Sequence, residues 1–390
     1  MKILAVLLCL LLPVFAGGDE SRVIERWNQE FRNAIRRQAM PPCLVARNLA
    51  ILHLTIWRAV ESAGEGNEES AACAAAYTVC TTYFSGDRVG FEKLLTEFPA
   101  AKGDVFLLAK QEAEKILESR ADDGANTTVH YKPELAAGIW QRTTNNRPPE
   151  LPHWQNVKPF VIASADAFRP PPPPALESKA YSKDVALVRD LGGKDSAKRT
   201  KDQEETARFW SDFSYTDTPP GRWNEIASQS VAGKGFSISK KAKVFAVLNV
   251  AMADAGIAAW DCKFFYRFWR PESAIHESID DRNTLTVAST DWKSLLPSPS
   301  HPEYVSGHST FSGAASRVLD KYLGKPSELI RVTNPDMPGV IRSFGSFDEI
   351  AAECGQSRIY GGIHFPTSNR EGLALGRKVA DRVVTHYSEP

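Results

Sequence analysis

The sequence predicts an all-α protein, and three observations carry the prediction. Long stretches repeat apolar residues at helical spacing, alternating strand-like runs bounded by turn residues are hard to find, and one proline-rich tract separates two helical regions. The chain has 390 residues, 43% hydrophobic and 24% charged, enough for one large core or two closely packed domains. Lysine plus arginine equals aspartate plus glutamate at 47 each, so no overall basic field draws the chain onto nucleic acid. Any anion binding must come from locally gathered cations.

Segments 23–37, 43–60, 70–84 and 103–120 carry the helical repeat and are predicted to form one bundle, the last helix ended by Asp122-Asp123-Gly124. From 131 to 178 the pattern turns to proline, tryptophan and polar residues, and the prolines at 170–174 cannot continue a helix and favour extended polyproline geometry. This tract is predicted to be a long surface crossover, a stiff connector in preference to a ligand for SH3-type partners. Helices resume at 183–191 and 202–213. A strong one spans 241–269, with Val244, Val247, Leu248, Ala251, Ala255 and Ala258 at core spacing, and two more follow at 309–323 and 368–386. The predicted division is an N-terminal helical bundle at 17–130, the crossover at 131–180 and a C-terminal helical bundle at 181–390.

Met1-Lys2, the apolar run 3–12 and the exit Pro13-Val14-Phe15-Ala16 have the form of a signal peptide, 1–16, which predicts a secreted or periplasmic protein. An uncleaved N-terminal anchor is the alternative. No later segment is expected to reach the roughly 18 to 20 uncharged apolar residues of a membrane helix, so no membrane span is predicted. Five cysteines then remain, Cys43, Cys73, Cys80, Cys262 and Cys354, an odd number in an oxidising compartment. Cys73 and Cys80, on one helix, lie roughly 10 Å apart by helical rise, too far to bridge. A bridge between Cys262 and Cys354 and two buried free thiols are both open.

Three elements could carry chemistry. Lys263 and Arg270, seven residues apart near the end of the strong helix, can converge on one anion, and Pro271 places Arg270 where the chain turns away. Ser306-Gly307-His308-Ser309 precedes a helix with Phe311, Ala314, Ala315, Val318 and Tyr322 on its apolar side. The N-H groups at its start, with the dipole behind them, favour an oxyanion, and His308 could transfer a proton. In Arg358-Ile359-Tyr360-Gly361-Gly362-Ile363-His364, the glycine pair would break a helix and turn the guanidinium and the imidazole inward. Ser368 and Glu371 have the spacing of a capping box for the next helix. Each motif alone also suits a solvated basic face, a capping serine or a structural histidine. Together they put three cations, two histidines and a helix N-terminus in one order.

That order, Lys263 to Arg270-Pro271, then Ser306-Gly307-His308, then Ser357-Arg358 to His364, resembles the three-part motif of the type 2 phosphatidic acid phosphatase (PAP2) and vanadium-dependent haloperoxidase superfamily. The resemblance to its soluble bacterial haloperoxidase branch extends through "VARNLAILH", "ILESRADDG", the proline-rich crossover and "KRTKDQEETARFW". One departure is Val305, where the family has proline before Ser-Gly-His. Proline there shapes a turn and supplies no ligand.

The resemblance implies a fold of two packed helical bundles, with His364 either bonding vanadium or attacking phosphorus. It implies that Lys263, Arg270, Arg358, Ser306 and the Gly307 N-H hold the oxygens of a vanadate cofactor or of a phosphate, with His308 as acid-base. In the oxidase reading the partners are hydrogen peroxide and halide, and the product is hypohalous acid. In the phosphatase reading there is no cofactor, and a phosphate ester is hydrolysed through a phosphohistidine. Trp260 looks like an aromatic position of chloride-oxidising relatives, and His301 like a histidine of bromide-oxidising ones. Together they favour a haloperoxidase with bromide or iodide ahead of chloride. A packed core tryptophan and a surface-loop histidine are the bland alternatives. A homodimer is compatible with the resemblance, and a non-catalytic anion-binding bundle is the third reading. Asp254 and Asp261 lie on the right helix to serve as acidic partners, although spacing alone does not turn them toward the site. The sequence has no P-loop, His-Glu-x-x-His, Cys-x-x-Cys or Gly-x-Ser-x-Gly motif.

Overall fold

The computed structural model describes residues 21–98, 103–142, 147–277 and 281–388, so the predicted signal peptide lies outside the described residues. The first half holds α1 (Val23–Gln38), α2 (Pro42–Ala63), α3 (Glu68–Tyr83), α4 (Arg88–Leu95) and α5 (Gly103–Ser119). The second half holds α6 (Lys179–Gly192), α7 (Lys201–Phe209), α8 (Thr218–Val231), α9 (Ile238–Tyr266), α10 (Pro271–His276), α11 (Gly307–Leu323), α12 (Phe347–Tyr360) and α13 (Pro366–Ser388). The all-α prediction holds, with one addition, a short antiparallel ribbon pairing β1 (Ile330–Thr333) with β2 (Ile341–Phe344).

Local chemistry sets the helix starts. Ser178 accepts from Tyr181 N at α6, Thr200 and Gln203 form a reciprocal capping box at α7, and Ser237 accepts from Lys240 N at α9. Four helices, α4, α8, α10 and α12, are not among the predicted segments. At α8 the pair Pro219-Pro220 reads as a stop, yet it occupies the first turn, where the missing N-H groups have no intrahelical partner to lose. The capping box expected at Ser368 is not formed. The last helix starts earlier, at Pro366, and Ser368 is buried within its first turn.

Helix α9 is the axis of the fold. Every residue from Val244 to Phe264 is buried, and α9 packs along α2, α11 and α13, so one apolar core draws on both halves of the chain. Contrary to the expectation from composition, α2 and α9 are long and apolar enough to cross a membrane. The most apolar 18-residue windows are 83% and 94% buried inside the protein, which accounts for their composition. Helix α11 sits tightly against α13, because a Cβ on Gly313 would run into the Leu373 carbonyl. The open question of the cysteines is settled against a bridge, since all five are free and buried. Cys262 is on α9 and Cys354 on α12, and α11 packs against both helices and lies between them.

Helix α9 also pins the crossover, and this is where Asp254 and Asp261 are used. Asp254 accepts from the N-H groups of Phe160, Val161 and Ile162 at 2.7, 2.8 and 2.9 Å, and burial raises its carboxyl to about 6 against their pull. Asp261 takes a two-pronged bond from Arg169 at 2.7 and 2.8 Å. The hydroxyls of Tyr266 and Tyr304 donate to the carbonyls of Pro170 and Pro171, each at 2.7 Å. Neither aspartate makes these bonds within the anion pocket, which corrects their suggested role. Asp254→Ala strands three backbone donors and is expected to lower unfolding free energy by about 3 kcal/mol or more, measured by urea denaturation.

Candidate active site

The three motifs meet around the loop 301–305, which runs into α11. Lys263 is fully buried in the last turn of α9, and its Nζ donates to the carbonyls of Pro302 at 3.1 Å, Glu303 at 3.0 Å and Val305 at 2.5 Å. Its three protons are therefore engaged by the loop. Lys263 contributes positive charge and braces the turn. Burial, and next Arg270, pull its pKa well below the ordinary lysine value.

Arg270 is not on α9 but on the extended residue before Pro271 (φ −80, ψ 157), as the proline requires. Its guanidinium donates to the carbonyls of His301 (3.0 Å) and Ile363 (2.7 Å), and lies 3.1 Å from His364 Nε2 and 3.0 Å from His301 Nδ1. Ser306 caps α11, its hydroxyl accepting from Ser309 N at 3.4 Å and lying 2.9 Å from Ser309 Oγ. Gly307 and His308, the first two residues of α11, have N-H groups that precede the helix's own bonding pattern. Arg358, in the last turn of α12, donates from Nη1 to the Trp210 carbonyl at 2.6 Å. Its Nε is buried without a partner among the described residues.

The hydrogen bonds fix the protons on the histidines. An arginine can only donate, so His364 Nε2 accepts from Arg270, and Nδ1 carries the hydrogen donated to Glu303 Oε1 at 2.7 Å. Burial, then Arg270, hold His364 well below the usual imidazole pKa, so the neutral ring keeps a lone pair on Nε2. His308 Nε2 faces the Ser211 carbonyl at 3.2 Å, which only accepts, leaving Nδ1 as its basic nitrogen; burial lowers its pKa as well. Burial brings Arg270 down to about 9 and Arg358 to about 10, so both stay charged at neutral pH.

Glu303 is the functional residue that motif reading missed. Fully buried, it accepts from His364 Nδ1 and from Phe365 N at 3.0 Å, and burial, opposed by Arg270, raises its carboxyl to about 7. The available signal was its position: it is the one acidic residue between Asp291 and Asp320. Asp212, a second unpredicted carboxylate, lies by the pocket and is paired with Arg222 at 2.8 Å.

A cavity of about 680 Å³ opens onto these groups, and His308, His364, Arg358, Gly307, Trp260 and His301 line it. Lys263, Arg270 and Ser306 form the layer behind. The ring centroids of Trp260 and His301 are 5.0 Å apart, and the Lys263 ammonium lies 5.7 Å from the Trp260 ring; His301 is buried and not in an open loop, while Trp260 is a packed core tryptophan whose edge also lines the cavity. Gly362 closes the turn after α12 with φ +75, and a Cβ there would strike the Gly192 carbonyl. Gly362→Ala is expected to destabilise the protein by about 3 kcal/mol and to displace His364, read as a lowered Tm together with lost oxyanion binding.

Residues 243–390 match the model of the VCPO second helical-bundle domain. The chain is similar, with 27% identity and a TM-score of 0.80, to a structure described as the first bacterial vanadium-dependent iodoperoxidase, covering 94% of this chain and 98% of that one. These matches are to vanadium haloperoxidases, the family that the three motifs resemble. Vanadium chloroperoxidase of Curvularia inaequalis is 26% identical over 288 residues, and the chain spans about half of that relative's length, 47%. The holo form of a bacterial vanadium-dependent chloroperoxidase, 17% identical, shares the fold with a TM-score of 0.73 over 90% of this chain and 92% of that one. The vanadium haloperoxidase likeness therefore covers the helical bundles as well as the three motifs.

Proposed function

We propose that this chain is a vanadate-dependent haloperoxidase that oxidises halide with hydrogen peroxide to hypohalous acid, bromide or iodide ahead of chloride. The observation that carries the reading is buried positive charge. Lys263, Arg270 and Arg358 lie within one small volume with Glu303 as the fully buried carboxylate among them, and Glu303 is already engaged by His364. A buried cation without an acidic partner calls for an anion.

The donor set fits an oxyanion. Arg358 has a buried Nε without a partner among the described residues, α11 presents its first N-H groups beside it in the cavity wall, and His364 offers the Nε2 lone pair. Arg358, the Gly307 and His308 N-H groups and the Ser306 hydroxyl would hold vanadate oxygens, Lys263 and Arg270 would neutralise charge from behind, and His364 Nε2 would bond the metal. Bound vanadate supplies the activation of hydrogen peroxide toward halide. His308 Nδ1 accepts and returns a proton at the cavity wall, and Glu303 keeps the His364 hydrogen on Nδ1 so that Nε2 stays a ligand. His301 at the cavity wall, and the iodoperoxidase described for the structure similar over most of this chain, support bromide or iodide, while Trp260 beside it matches the position of chloride-oxidising relatives. Export to the periplasm or outside the cell, the division at 131–180 and a homodimer belong to the same proposal.

One observation favours a second reading, a PAP2-type phosphatase with His364 as nucleophile. The cavity has room for an organic leaving group. Two assays separate the readings: halogenation of a dione dye with hydrogen peroxide, halide and added vanadate, and hydrolysis of a nitrophenyl phosphate without vanadate. Halogenation that depends on vanadate is expected. Phosphate hydrolysis alone, inhibited by vanadate, would reverse the order.

A further inference from the structure

We infer that the outer half of the cavity is a binding subsite for an aromatic organic molecule bearing a hydroxyl or anionic substituent, with Phe213 and Tyr215 as its specificity-determining side chains. The inference rests on the Lys263 to His364 pocket being the reaction centre.

Volume is the first argument. An oxyanion, a peroxide and a halide each fill space comparable to one or a few waters, on the order of 30 Å³ apiece. The cavity is about 680 Å³, the size that holds a whole organic ligand. Chemistry is the second. Beyond Gly307 and His308 the wall is mixed: Pro42, Phe213, Tyr215, Pro297, Pro299 and Phe311 give it apolar and ring surface, Ser211, Ser214 and Ser298 add hydroxyls, and Arg147, Glu150 and Asp212 add charge. Tyr215 is 80% exposed and Phe213 38%, so these rings contribute little to the protein's own core and leave faces open beside the reaction centre.

Rigidity is the third. The segment carrying the two rings is tied at both ends: Asp212 pairs with Arg222 at 2.8 Å, and Asp217 pairs with Arg32 at 2.5 Å and Arg36 at 2.9 Å. Arg222 is itself anchored on the Thr333 carbonyl at 2.8 Å. Rings on a tethered four-residue tip give up little freedom when a planar guest slides against them, and flat faces favour offset or edge-to-face contact with another ring.

A ring could enter as the acceptor of the halogen or as the leaving group of a phosphate ester, and two kinetic arms distinguish these sources. Calorimetric titration of the full-length protein with 2-naphthol, without vanadate, is expected to show one site per chain that weakens about tenfold in Tyr215→Ala and in Phe213→Ala. Leu135→Ala, at a position 92% exposed and absent from the cavity wall, should titrate like the wild type. In the oxidase arm the ratio of KM for a phenol to KM for halide should rise about tenfold in Tyr215→Ala. In the phosphatase arm the KM for nitrophenyl phosphate should rise by the same factor. If neither activity is found, the haloperoxidase reading fails while the titration still decides the subsite. A folded wild type that does not bind 2-naphthol, or binding equally strong in both ring variants, would overturn the inference.

Discussion

His364→Ala is expected to remove activity by a factor on the order of 10³ or more, whichever reaction the pocket runs, while the protein stays folded. His364 supplies the imidazole lone pair set between Arg270 and Glu303, and no other described side chain bridges that pair. Groups that act as a unit at a reaction centre lose most of their combined effect when one is deleted. Stability should change little. Glu303 keeps its bond from Phe365 N, Arg270 keeps two carbonyl acceptors, and the lost bond and its cavity amount to about 1 to 3 kcal/mol. Circular dichroism and thermal melting beside the activity measurement check both parts. A folded His364→Ala protein with wild-type turnover would remove both enzymatic readings.

The second large effect belongs to Glu303. Replacing it with alanine removes the acceptor that holds the His364 hydrogen on Nδ1 and takes away the buried carboxylate beside Lys263 and Arg270. An outer-shell acceptor of a metal-binding histidine is worth about 10- to 100-fold in affinity or activity, so Glu303→Ala should weaken vanadate and phosphate binding by that factor. Glu303→Gln separates the two contributions. Its amide oxygen can still accept from His364 and Phe365 while the charge is gone, so binding should recover toward the wild type to the extent that orientation matters. If Glu303→Ala binds oxyanion as tightly as the wild type, the contact with His364 is structural only. Oxyanion affinity measured by calorimetry reads this directly and does not depend on turnover.

Much of the site was legible because its chemistry is tied to spacing. A serine before glycine at a helix start, an arginine before proline and a glycine pair between Arg358 and His364 each dictate local backbone, and the structure has each in the predicted form. What spacing cannot convey is where a long side chain ends. For Lys263 the spacing predicts a place at the anion site, but only the folded loop shows that its buried ammonium also donates to the carbonyls of Pro302, Glu303 and Val305. Glu303 was missed for the opposite reason. A lone carboxylate in a loop carries no period, and its partner is 61 residues away. At the level of the fold, the long helices were visible from their apolar repeats. Helix α8 was hidden behind Pro219-Pro220, and the ribbon of four-residue strands was too short to show alternation. Asp254 and Asp261 were placed on the right helix, but only the folded crossover reveals what they hold.

Under the proposed function the buried cations, the α11 N-terminus and the Nε2 lone pair of His364 hold an oxyanion, and titration of the purified full-length protein with vanadate tests this most directly. One vanadate per chain is expected, competed by inorganic phosphate and lost in His364→Ala. A folded wild-type protein that binds neither vanadate nor phosphate would contradict it.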